Sequence, residues 1–174
     1  MPKPGRGASA DKKPQVTIEP AEVLTAPILV VEDDPLAALC VSAIVQKGLG
    51  LTISWTTGSD DAIRLIRRAA AGQGGRLPRA ILADIHLQEE VSEGLISWVR
   101  TSAATVTMPV LSMSADETRT TRQRSLDAGA TAFLGKSKIV TDLVAWLRQN
   151  MLSDEDADEM NSSAESEFRA TGTG

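Results

Sequence analysis

Between residues 27 and 152 the chain alternates short apolar runs with longer amphipathic stretches. Five runs, APILVV, LTISWTT, RAILAD, MPVLSM and TAFLG, are apolar and bounded by turn residues or charges, the pattern of buried strands. Helical spacing fills the intervals. The first helix is predicted to start at Asp34 as N-cap, with Pro35 in its first turn, and to end at Gly48. The second follows Gly58 and Ser59, with Ile63, Ile66 and Ala70 on one face. The third is EGLISWVRTSA and the fourth ADETRTTRQRSLDAG. The fifth, KIVTDLVAWLRQNM, carries a stripe of Ile139, Leu143, Trp146 and Leu147. The fourth helix stands apart: Leu126 is almost its only large apolar residue, which predicts one of the less stable elements. Strands alternating with helices predict an α/β domain. Its parallel sheet is covered on both faces, its crossovers are right-handed, and ligands bind beyond the carboxyl ends of the strands.

The flanks lack this periodicity. Residues 1–26 are rich in Pro, Gly, Lys and Ala, and residues 153–174 hold seven acids against Arg169 alone. Both are predicted to be disordered tails on one domain, residues 27–152. The overall charge of −5 therefore sits mostly in the acidic tail, and the middle is close to neutral. A neutral middle argues against direct DNA binding through a broad basic face. No apolar run is long enough to cross a bilayer and no secretory signal opens the chain, so the expected location is the cytoplasm. The single cysteine, Cys40, excludes an internal disulfide and reads as a small core residue among its apolar neighbours.

Chemistry enters where the strands end. The first strand runs into Glu32, Asp33 and Asp34, the third ends at Asp84, Ser114 follows the fourth and Lys136 the fifth. A parallel sheet brings all of these to one edge. Carboxylates sharing a pocket stay ionised together only if a cation offsets them. The ligands on offer are oxygens, which points to a hard cation such as Mg²⁺. Lys136 and Ser114 add a positive charge and a hydroxyl donor for a phosphoryl group, and Asp84 is a candidate carboxylate nucleophile.

ILVVEDDP, ILADIHL, PVLSMSADE and DAGATAFLGKSK together resemble the receiver domain of two-component response regulators, in the same order and at similar spacing over residues 27–152. The resemblance implies a flavodoxin-like (βα)5 fold with strand order 2-1-3-4-5. It implies Glu32 and Asp33 as the acidic pair, Asp84 as phosphoacceptor and the main-chain carbonyl of His86 as a further Mg²⁺ ligand. Ser114 becomes the switch hydroxyl, Lys136 the phosphate-pairing lysine and Phe133 the aromatic switch. Asp34 falls outside the pair and caps the first helix. The implied function is a signalling switch rather than a metabolic enzyme. It takes a phosphoryl group from a phosphohistidine, assists that transfer and its own dephosphorylation, and changes its contacts with a downstream protein. The implied partner is a sensor histidine kinase or a histidine phosphotransfer protein. The expected form is a stand-alone receiver, a monomer or weak homodimer.

Three stretches depart from that pattern. DIHLQEEVSEG, after the phosphoacceptor, is about two residues longer than usual and carries Glu89, Glu90 and Glu93; a solvated acidic loop is the plainer expectation. His86, the single histidine, is a candidate base or phosphorelay histidine, against a side chain that simply faces solvent. Ser137 follows Lys136 where the family usually has proline, so this joint is expected to be trans. The lengthened loop and the altered Lys–Ser joint support an alternative, a receiver-like interaction module that works without phosphorylation. A flavodoxin-type electron carrier is a more distant alternative, because EDDP repels a phosphate and aromatics make up only 3%.

Overall fold

A computed structural model describes residues 19–87 and 90–151. The strands are β1 (Ile28–Val31), β2 (Ile53–Thr56), β3 (Ala80–Asp84), β4 (His86–Leu87), β5 (Glu90–Val91), β6 (Val110–Ser114) and β7 (Ala132–Gly135). The helices are α1 (Pro35–Leu49), α2 (Ser59–Ala70), α3 (Glu93–Thr101), α4 (Arg119–Asp127) and α5 (Ile139–Met151). Five strands form one parallel sheet in the order β2-β1-β3-β6-β7, and β4 and β5 form a separate antiparallel hairpin. With the hairpin set aside, this is the predicted 2-1-3-4-5 order.

Alternation along the central strands divides the core in two. Ile28, Val30, Ala80, Leu82, Leu111 and Met113 face α1 and α5, whereas Leu29, Val31, Ile81, Ala83 and Val110 face α2 and α3. Both faces of β1 are buried, which is why its sequence is continuously apolar. Register sets the functional edge. Val31 lies opposite Thr56 and Ala83, Asp84 opposite Met113, and Ser114 opposite Gly135. The carboxyl ends therefore finish level, and the next residues enter a common space.

Several expectations are corrected. Gly48 does not end α1; Gly50 does, with φ 67° and its N–H donating to the Gln46 carbonyl. Gly48 lies within the helix against α5, where a Cβ would collide with Val144. Cys40 is exposed rather than in the core, because α1 turns Ala38, Val41, Val45 and Leu49 inward. In α2 the buried face is Ala62, Leu65 and Ile66, and Ala70 is exposed. The fourth helix begins at Arg119, with Thr118 as N-cap, so Asp116 and Glu117 belong to the loop before it. Its buried residues carry hydroxyls: Thr121 and Ser125 face inward, the Ser125 hydroxyl bonds that of Ser112 on β6, and Leu126 is exposed.

The stretch after Asp84 is a hairpin rather than a plain loop. His86 pairs with Val91 and Leu87 with Glu90, Leu87 is buried, and the Ser92 N–H donates to the Ile85 carbonyl. The extra length is used to fold the chain back on itself. The predicted tails over residues 1–18 and 153–174 lie outside the described residues. Residues 19–26, placed in the N-terminal tail by composition, pack onto the domain instead: Leu24 and Ala26 are buried. Ser54 Oγ accepts from the Thr25 and Ala26 N–H groups, and the Ala21 N–H donates to the Trp55 carbonyl at 2.6 Å. Among the described residues, no helix is long and apolar enough to cross a membrane.

Candidate functional site

Glu32, Asp33 and Asp84 converge just beyond β1 and at the end of β3. One carboxylate oxygen from each lies within 4.8 Å of the others. Glu32 and Asp84 are buried and Asp33 is half-buried. Lys136, immediately after β7, places Nζ 2.7 Å from Glu32 Oε2 and 2.7 Å from Asp84 Oδ2. These contacts join positions 104 and 52 residues apart in the chain. Every described peptide bond is trans, including Lys136–Ser137, and the chain enters α5 through a short 3₁₀ turn, Lys136–Lys138.

Local contacts hold the acids in place. Asp34 caps α1 through Oδ1, which accepts from the Leu36 N–H at 2.8 Å, as predicted, so it takes no part in the cluster. Its own N–H donates to Glu32 Oε1 at 3.3 Å. The buried Trp55 indole donates to the Glu32 carbonyl at 2.6 Å and fixes the main chain where it leaves β1. That contact was not legible beforehand, since a tryptophan in an apolar run reads as packing.

The electrostatics follow from burial and proximity. Burial pushes Glu32 up to about 7; the Lys136 hydrogen bond opposes this and the Asp84 charge adds to it. For Lys136, burial works against the ammonium, but the hydrogen bonds and charges of Asp84 and Glu32 outweigh it and raise its pKa above the ordinary lysine value. Two buried carboxylates thus share one cation, with Asp33 beside them. An all-oxygen donor set with surplus negative charge suits a hard divalent cation, so the residues fit such an ion.

Ser114 closes the other side. Its hydroxyl is fully buried, accepts from the Asp116 N–H at 3.0 Å and lies 3.2 Å from His86 Nδ1. His86 is exposed as a residue, yet its ring touches Ser114, so it does not simply face solvent. Its N–H donates to Asp84 Oδ1 at 3.3 Å. Asp116 in turn accepts from the Thr118 N–H and the Thr121 hydroxyl, which continues the chain of bonds into the first turn of α4. These bonds hold its carboxyl below the usual range. The spacing Ser-x-Asp-x-Thr carried this signal, because each side chain can bond the N–H two residues on. Phe133 on β7 is buried beneath the Arg122 guanidinium, 4.7 Å from its ring centroid. Glu117 lies over Gly135 and accepts from the Ser137 hydroxyl, so the serine that replaces the family's proline has a partner in the loop before α4.

A family model described as the response regulator receiver domain matches residues 28–148. A search of curated proteins finds no match. Among solved structures, the chain is similar to the signal receiver domain of a signal transduction histidine kinase from Syntrophus aciditrophicus, at 22% identity and a TM-score of 0.62, covering 73% of this chain and 90% of that one. It is similar to the phosphorylated cyanobacterial phytochrome response regulator RcpA, at 16% identity and a TM-score of 0.63, covering 74% and 95%. It is also similar to the Mn²⁺-bound response regulator Rcp1, at 17% identity and a TM-score of 0.59, covering 73% and 94%.

Proposed function

Because the chain belongs to the response regulator receiver family, we propose that it is a phosphoacceptor switch in which Asp84 takes a phosphoryl group from a phosphohistidine on a partner protein. An Asp84 carboxylate oxygen attacks phosphorus, the bond from phosphorus to the partner's imidazole nitrogen breaks, and that nitrogen keeps the electron pair. The observation that supports this most directly is the Lys136 ammonium, which follows β7 and is held 2.7 Å from Asp84 Oδ2. A lysine so placed can pair with an oxygen of a phosphoryl group carried by Asp84. Ser114 offers its hydroxyl to another, and burial at the sheet edge limits access of water.

Glu32, Asp33, Asp84 and the main-chain carbonyl of His86 would hold Mg²⁺. The ion supplies positive charge that offsets the phosphoryl oxygens and the crowded carboxylates. The partner is a sensor histidine kinase or a histidine phosphotransfer protein. The signal leaves through altered protein contacts as Ser114 and Phe133 rearrange and carry α4 with them.

Intact-mass spectrometry tests this after incubation with Mg²⁺ and acetyl phosphate. A single phosphoryl adduct is expected on the wild-type chain, absent without Mg²⁺ and absent in Asp84→Asn. An unmodified wild-type chain under these conditions refutes the reading in favour of an interaction module that works without phosphorylation.

A further inference from the structure

We propose that His86 is a positioning residue that holds the Ser114 hydroxyl proton in the resting chain and so competes with a phosphoryl group for it. This rests on the phosphoacceptor reading above. A serine hydroxyl has one proton to donate and two lone pairs to offer. Ser114 is fully buried, and its oxygen already accepts the Asp116 N–H at 3.0 Å. A buried O–H left without an acceptor is costly. Among the described contacts, the acceptor that meets it is His86 Nδ1, at 3.2 Å. The ring therefore takes the Ser114 proton at Nδ1 and carries its own proton on Nε2, at the exposed side of the molecule.

The ring is well braced for this role. Its residue pairs with Val91 in the β4–β5 hairpin, and its N–H donates to Asp84 Oδ1 at 3.3 Å. The lengthened stretch after Asp84 thus brings an imidazole against the hydroxyl that must turn toward Asp84 when the phosphoryl group arrives. One proton serves one acceptor. Either Ser114 donates to His86, or it donates to a phosphoryl oxygen and the His86 contact breaks. The histidine biases the chain toward the unphosphorylated arrangement without touching phosphorus itself.

His86→Ala keeps the main chain and removes the competing acceptor. Beryllofluoride, a phosphoryl mimic, is titrated with Mg²⁺ into wild type, His86→Ala, Ser114→Ala and the double variant, with amide shifts as readout. His86→Ala is expected to bind about three- to tenfold more tightly than wild type, the scale of one neutral hydrogen bond. In the Ser114→Ala background the same substitution is expected to change nothing. Equal tightening in both backgrounds, or no tightening in either, overturns the proposal, because the effect then does not run through the hydroxyl.

A second measurement is independent of phosphoryl chemistry. His86 is the single histidine in the chain, so its ring nitrogens need no assignment in long-range ¹H–¹⁵N spectra. At pH 8 a protonated Nε2 and an unprotonated, hydrogen-bonded Nδ1 that shifts in Ser114→Ala are expected; a proton on Nδ1 overturns the proposal. If the ring signature holds but no variant binds beryllofluoride, the phosphoacceptor reading fails and the competition with it. If wild type binds and the cycle shows no coupling, the competition alone fails.

Discussion

Glu32 is 1% exposed and shares Lys136 with Asp84, and its carboxyl is pushed from 4.5 up to about 7. Substituting Glu32→Gln removes that titration while keeping the size of the side chain. The sign follows from proton counting. Between pH 4.5 and 7 the folded chain keeps a proton on Glu32 that the unfolded chain has released, so this group's stabilising contribution is complete below 4.5 and is lost as pH rises through 7. A separation of about 2.5 pH units at 1.36 kcal/mol per unit gives about 3 kcal/mol across the window. The assay is urea denaturation with a chelator present, on wild type and Glu32→Gln, from pH 4 to 8. Other groups titrate in both proteins, so the quantity to follow is the difference in unfolding free energy between them. Wild type should lose about 3 kcal/mol relative to the variant from the acid to the alkaline end. A difference that stays constant with pH, or that moves in favour of wild type as pH rises, refutes the electrostatic account of the site.

Two further substitutions test the packing that positions the site. Gly48→Ala should destabilise by about 1–3 kcal/mol, because its methyl meets Val144 where α1 packs on α5. With Val144→Gly present, which removes the three nearest atoms that the methyl would meet, the same change should stabilise by about 0.5–1 kcal/mol, as alanine does in an open helix interior. Denaturation of the four proteins checks this reversal, and a stabilising Gly48→Ala in the wild-type background would sink it. Ser125→Ala strands the buried Ser112 hydroxyl and should cost about 1–3 kcal/mol in chemical denaturation. It should also speed amide exchange in α4 more than in α5, whose Leu143 and Leu147 stay in the core.

The strands and the functional edge were legible because a buried parallel strand is apolar on both faces and ends where charge begins. ILVV to Glu32 and ILA to Asp84 read directly, and the level ends of a parallel sheet do the rest. What escaped was set by contacts distant in sequence. Two glycines, Gly48 and Gly50, could each end α1; the second takes the left-handed cap, and the first stays in the helix packed beside Val144. The face of α2 shifted because Ala62 and Leu65, rather than Ala70, meet the sheet. Ser125 and Ser112 are polar by type, so their burial as a pair has no hydrophobic signature. His86 looked idle for a related reason: a partner on β6, 28 residues away, turns a solvent-facing ring into a contact with the switch hydroxyl.

The segment before β1 has a consequence for the sheet's behaviour among other molecules. β2 is an edge strand, and an edge offers unpaired amides and carbonyls to any passing strand. Ala21 occupies one position of that edge, and the residues after it pack beside β2. Ala21 takes the Trp55 carbonyl, the Thr25 and Ala26 amides use Ser54, and Leu24 covers apolar surface beneath. Residues that look like tail thus leave fewer open groups for a passing strand to pair with. The segment matched by the family, residues 28–148, leaves out the residues that make these contacts. A domain boundary chosen from the receiver pattern alone would cut away this guard and leave the functional edge untouched.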